Sequence, residues 1–179
     1  AYKRLQDEKD NPEKESILDD IDFDMELLET DKIDVQYIVN LIKAINLDSK
    51  QNTDADRKKI KQILANADND ELKSKADLLA DFLDKVVPKL DKDANVGDEL
   101  NQYLADRRTK EVDDFSKENK LSKDLIEQQF DNYNFYGDTN ARQVMDELNG
   151  AGYGFLEKRK LKNRIRTFVI KTVKRFAMA

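Results

Sequence analysis

The chain has 179 residues, 39% of them hydrophobic and 39% charged, with five Gly, two Pro and a formal net charge of −6. It contains no Cys and no His, which removes disulfides, thiol chemistry, the commonest general base and the commonest transition-metal ligand. So few turn-formers exclude a β-sandwich, and no apolar run approaches the ~18 residues of a membrane-spanning helix.

A chain of this length buries roughly 70% of its unfolded surface, enough for a real core. Residues 1–15 ("AYKRLQDEKDNPEKE") are polar and read as a lead-in from an upstream region. The chain begins at Ala1 rather than Met, as a piece of something longer would. No signal peptide is visible.

Ser16 to Thr30 fits two periods. Ile21, Phe23, Met25 and Leu27 alternate as in a strand, while Ile17, Ile21, Met25 and Leu28 recur as on a helix. No partner strand appears, and a lone strand leaves its backbone groups unpaired, so helix is the better reading. Asp34 then reads as the N-cap of a helix over 35–46, with Val35, Ile38, Val39, Ile42 and Ile45 on one face and Tyr37 and Leu41 widening it. A helix this apolar is normally buried. Thr53 with Asp56 reads as the cap of a helix over 54–65, which buries Ile60, Ile63 and Leu64.

Ser74 is the expected cap of a helix over 75–87, whose inward stripe is Leu79, Phe82, Leu83, Val86, Val87 and Leu90. Pro88 ends it, because the residue before proline avoids helical backbone angles. After a turn at 91–97, a long helix over about 97–119 points Leu100, Tyr103, Leu104, Val112 and Phe115 inward. Leu121 staples onto Ile126, and Ser122 caps a helix to about Tyr133. Thr139 caps 140–148, and "NGAGYG" forms a flexible joint. The last helix, about 155–176, carries the stripe Leu161, Ile165, Phe168, Thr172 and Phe176. The sum is an all-α protein: an irregular bundle of about seven helices, with 16–154 as its body and 155–179 as a long basic helix packed on that body in a single domain.

Charge is unevenly placed. Residues 155–179 hold nine Lys/Arg against one acid, Glu157, for a net +8, which leaves −14 on the first 154 residues. The bland reading lays this helix on the chain's own acidic surface. The sharper one turns Lys158, Arg159, Lys162, Arg166, Lys171, Lys174 and Arg175 toward a partner or toward DNA. Asp20, Asp22 and Asp24 form an acidic stripe that is either a solvated face or a docking face for a basic partner.

Three motifs suggest chemistry and fail on spacing. "DKDANVGDELNQ" puts Asp91, Asp93 and Asn95 at calcium-loop positions, but Gly97 is one place late and Gln102 stands where a bidentate Glu belongs. Gly150, Gly152 and Gly154 lack the preceding strand of a dinucleotide fold and read as a hinge. Glu71-Leu72-Lys73 has the form of a metal-nuclease triplet but sits between helices. No catalytic residue, metal ligand or cofactor contact is assigned to the chain.

Taken in order, "DIDFDMELLETDKIDVQYIVNLI", "ELKSKADLLADFLDKV", "ELNQYLADRRTKEVDDFSKENKLSKDLIEQQFDNY" and a basic amphipathic last helix resemble the C-terminal helical region of the R (restriction) subunit of type I restriction-modification enzymes. The resemblance runs from Leu18 to Phe176. One departure is Leu100, where the family often has Trp. The resemblance implies a cytoplasmic parent whose upstream parts hold a metal-dependent nuclease and an ATP-driven DNA translocase, using Mg2+ and ATP. It implies that this region attaches the motor to the methyltransferase and specificity subunits. A second reading makes it a nonspecific DNA-contacting domain lining the translocase path. In the first, Phe23, Met25 and Leu27 seat their segment on the core helix while the acids face out.

Overall fold

The computed structural model describes residues 33–178. The lead-in, the expected helix over 16–30 and the acidic stripe at Asp20, Asp22 and Asp24 lie outside the described residues. Those described form eight α-helices and no strand: α1 (Val35–Lys43), α2 (Lys50–Asn66), α3 (Asp70–Lys73), α4 (Ala76–Asp81), α5 (Val96–Glu118), α6 (Lys123–Tyr136), α7 (Ala141–Gly150) and α8 (Phe155–Phe176). They gather into two compact units, one ending at Leu104 and one running Ala105–Ala177.

In the first unit, α1 is the expected core helix. Asp34 Oδ1 accepts the Tyr37 amide at 2.9 Å, closing its N-terminus, and Val35, Ile38, Val39, Leu41 and Ile42 are buried. Its partner α2 starts earlier than the sequence suggests. Ser49, not Thr53, is the N-cap and accepts from the Asn52 amide at 3.1 Å. Thr53 and Asp56 are buried inside the helix and reach back to the α1–α2 loop. The Thr53 hydroxyl donates to the Asn46 carbonyl at 2.8 Å, and the Asp56 carboxylate accepts the Asn46 amide at 2.8 Å. Thr53 lies inside the helix, its own amide bonded to the Ser49 carbonyl at 3.0 Å, so it is past the cap position.

The helix expected over 75–87 is broken up. Asn69 caps the single turn α3, the Ser74 hydroxyl donates backward to the Glu71 carbonyl at 2.6 Å, and Lys75, not Ser74, holds the N-cap position of α4. α4 widens into a π turn at Phe82–Val86 and tightens into a 3-10 turn at Val87–Lys89 around Pro88. Pro88 has no N–H to give, and the Val87 amide bonds five residues back, to the Phe82 carbonyl. The Leu83 carbonyl accepts instead from Arg57 Nη1 at 3.2 Å. The extra residue per turn rotates the register. Leu79, Phe82, Leu83 and Val87 are buried as expected, but Val86 is only half-buried. Leu90, also expected inward, is half-buried.

α5 begins in the first unit and ends in the second. In the second unit, Val112 of α5, Leu125, Ile126 and Phe130 of α6, Val144 and Leu148 of α7, and Leu161, Ile165 and Val169 of α8 form one core. Phe168 stacks on Phe115 at 4.0 Å between ring centroids and meets Phe130 edge-on at 6.1 Å. Leu121 packs against this core beside the start of α6, and Ser122 holds the N-cap position without a side-chain bond. Asn140, not Thr139, caps α7 by accepting the Gln143 amide at 3.0 Å.

α5 ends on a six-to-one bond from the Leu121 amide to the Ser116 carbonyl, with Lys120 at φ 54 where glycine usually sits. A side chain there costs roughly 1–2 kcal/mol. Lys120→Gly is therefore expected to stabilise the second unit by about 0.5–1 kcal/mol, after the entropy glycine adds to the unfolded chain. Amide hydrogen exchange across α5 and α6 measures it, and weaker protection than in the unsubstituted chain contradicts the assignment.

Candidate docking face on the terminal helix

The turn that launches α8 is built, not loose. At the end of α7 the Tyr153 amide bonds to the Leu148 carbonyl at 3.2 Å and the Gly152 amide to the Asn149 carbonyl at 3.1 Å. Gly152, at φ +86, supplies the left-handed residue this cap requires. Tyr153 packs on the core, and its hydroxyl donates to the Lys120 carbonyl at 3.1 Å. The expected flexible joint is thus a capped corner, and Gly154 is the N-cap of α8.

From that corner α8 buries Leu161, Ile165, Val169 and Thr172. Val169 replaces Phe168 at the centre of the expected stripe, with Phe168 and Phe176 half-buried beside it. Spacings of four and three residues keep one face inward, so the cations fall on the flanks and the back.

The seven candidate cations divide into two groups. Arg175 is half-buried and forks onto Glu111 at 3.1 Å while facing the Phe176 ring. Arg166 pairs with Asp138 at 2.9 Å; that guanidinium and the Thr139 amide hold the Asp138 carboxyl below its ordinary range. Lys158 donates to Asn149 Oδ1 at 3.0 Å. These three serve the unit's own packing. Arg159, Lys162, Lys171 and Lys174 have no hydrogen bond or ion pair among the described residues, and Lys160 joins them. Arg164, the ninth cation of the segment, donates to Asn119 Oδ1 at 2.6 Å.

Two pairs of exposed apolar residues were not singled out in the sequence. Phe155 and Leu156 open α8 at 66% and 72% exposure, and Phe135 and Tyr136 close α6 at 85% and 78%. The available signal was adjacency: neighbouring helical residues point about 100° apart, so at a helix end both cannot enter one core.

The sequence decoys have structural roles. Asn95 Oδ1 accepts the Asp98 amide at 2.9 Å and so caps α5. Its loop borders an open cleft of about 630 Å³ lined by two lysines, Lys43 and Lys92, and two acids, Asp48 and Asp98, so no excess of carboxylates gathers there for a cation. Glu71 pairs at 3.2 Å with Lys75, whose side chain is buried. Among the described residues no group of three or more carboxylates could hold a metal ion, and no helix is long and apolar enough to cross a membrane.

Comparison with known proteins places this arrangement. The family described as "Type I restriction and modification enzyme - subunit R C terminal" matches residues 1–176. Endonuclease subunits of type I restriction enzymes from two Staphylococcus aureus strains, COL and MSSA476, are each 31% identical over 165 residues, 92% of this chain and 18% of the relative. One from Staphylococcus saprophyticus is 32% identical over 168 residues, again 18% of its length. The chain spans less than a fifth of these relatives, and no solved structure matches it. A match over nearly the whole chain, on an all-helical fold, makes this chain a member of the C-terminal family of type I restriction enzyme R subunits.

Proposed function

We propose that this region docks the R subunit onto the methyltransferase and specificity subunits of its complex, through the outward face of α8. One observation carries the reading. α8 is locked into a core on one side, and on the other Arg159, Lys162, Lys171 and Lys174 lack any partner among the described residues. Unpaired cations on a rigid element orient a partner and speed its capture. A subunit of a multisubunit enzyme must present such a face somewhere. The parent's ATP-driven translocase and Mg2+-dependent nuclease belong, in this reading, to the rest of the R subunit.

The same free cations also suit a phosphate backbone, so a nonspecific DNA contact is the second reading. The net −14 on residues 1–154 opposes DNA lying broadly across the domain but not one local contact. Sedimentation of the chain with its methyltransferase–specificity complex, and separately with plain duplex DNA, at low and high salt, separates them. Docking predicts co-sedimentation with the protein complex that survives the higher salt. Binding to DNA alone, falling steeply with salt, overturns docking in favour of the DNA contact.

A further inference from the structure

The nine cations of the terminal segment are not equivalent, and the first two turns of α8 carry something the rest lack. Phe155 and Leu156 are its two most exposed large apolar side chains, whereas Leu161, Ile165 and Val169 are buried. Arg159 and Lys160 stand four residues on, stacked above them on the same faces at about 5–6 Å between Cβ atoms. Both are exposed and unpartnered among the described residues. Gly154 gives this end no side-chain cap, so the positive helix terminus is not neutralised by one; Glu157 is the one acid there. The corner below is fixed by the Gly152 and Tyr153 bonds, so the patch is presented rigidly.

Phe135 and Tyr136, the other exposed pair, lean on each other at 5.5 Å between ring centroids. Their nearest acid in sequence, Asp138, already has its cation in Arg166. That pair stands one turn after Asp131, an exposed acid without a partner among the described residues, so the free charge beside it is negative. Among the described residues, the α8 patch sets an exposed apolar pair beside free cations.

We infer that Phe155 and Leu156 are the anchor of the docking face, with Arg159 and Lys160 as its charged rim, and that the occupant is an acidic helix or segment of a neighbouring subunit bearing exposed apolar side chains. The inference rests on the docking reading and names the chemistry of its partner. Charge complementarity selects an acidic surface. The apolar pair selects protein over a nucleic-acid backbone, because phosphates and sugars give Phe155 and Leu156 nothing to pack against, whereas an apolar anchor ringed by charge is how protein interfaces concentrate affinity.

The test titrates the labelled 179-residue chain onto the purified methyltransferase–specificity complex. Circular dichroism first confirms that each variant keeps its helices, which exposed positions permit. Phe155→Ala/Leu156→Ala is expected to weaken binding at least about tenfold at both low and high salt. Arg159→Glu/Lys160→Glu is expected to weaken it mainly at low salt and to flatten the salt dependence. Phe135→Ala/Tyr136→Ala stays within about twofold. If the wild-type chain binds and the Phe155/Leu156 variant binds equally well, the anchor is refuted and docking stands. If the wild-type chain does not bind the complex, both fall. Plain duplex DNA and anionic phosphatidylserine vesicles serve as parallel probes. Loss on either of these alone, with protein binding intact, overturns the acidic-protein occupant.

Discussion

Gln129→Leu should lower the stability of the second unit by about 2–4 kcal/mol, although it replaces a polar side chain with an apolar one of similar size in a fully buried position. Gln129 holds the α6–α7 corner through both ends of its amide. Its Nε2 donates to Gln143 Oε1 at 2.9 Å. Its Oε1 accepts the Asn140 backbone amide at 2.7 Å and, more weakly, Asn132 Nδ2 at 3.4 Å. Asn132 Nδ2 also donates to Gln143 Oε1 at 2.9 Å, and Gln143 Nε2 donates onward to Gln128 at 3.0 Å. Leucine would take the acceptor from the Asn140 amide and would remove one of two donors from Gln143. An unsatisfied buried group costs more than a made bond gains. Gln128→Ala, at the exposed edge of the same chain of amides, should cost under about 1 kcal/mol. Because the chain has two compact units, a single unfolding midpoint is a poor gauge. Amide hydrogen exchange across α6 and α7 is the sharper one. Equal protection in the Gln129→Leu and Gln128→Ala variants would show that the network is not what closes the corner.

Val87→Asp should cost about 3–5 kcal/mol, and Val86→Asp about 1 kcal/mol or less. Val87 is 1% exposed and Val86 half-buried. The π turn alone separates them. In an uninterrupted α-helix, Leu79, Leu83, Val86 and Leu90 would share the inner face at spacings of four, three and four. The wider turn at Phe82–Val86 adds one residue, so Val87 arrives where Val86 would have been. A carboxylate at position 87 loses its water, whereas at 86 it can reach solvent. Urea unfolding of the two variants, followed by helix signal, decides the register. Similar losses for both, or a greater loss at Val86, would mean that the helix runs on as α. The guanidinium of Arg57 provides a second check: with the π turn in place it bonds the Leu83 carbonyl that an α-helix would have used internally.

Much of this was legible from residue order. α1 could be drawn from Asp34 and the spacing of Val35, Ile38, Val39 and Ile42, because a short helix with five buried residues leaves little choice of face. α8 could be drawn for the same reason. Its basic character follows from composition alone, as does the absence of cysteine and histidine chemistry. The family was legible in the order of four segments. The caps were less so. Thr53, Ser74 and Thr139 all have the right chemistry for an N-cap, yet Ser49, Asn69 and Asn140 do the work. Any small polar side chain can accept a helix amide. Which one does so depends on where the helix begins, and Thr53 sits one turn inside α2, its own amide already bonded to the Ser49 carbonyl.

Sequence by itself determined that the chain is helical, that its first and last core helices bury the faces they do, and that its terminal helix is strongly cationic, because these follow from local periodicity and charge count. Tertiary structure alone decided which cations remain available. Arg175 is neutralised by Glu111, 64 positions away, and Arg166 by Asp138, 28 positions away. It also decided that of the two expected neighbours, Val86 and Val87, Val87 alone is fully buried, and that the two units divide inside α5, where no change of composition marks the boundary. Each of these depends on which distant groups fold into contact, and a spacing rule confined to neighbours along the chain cannot supply that.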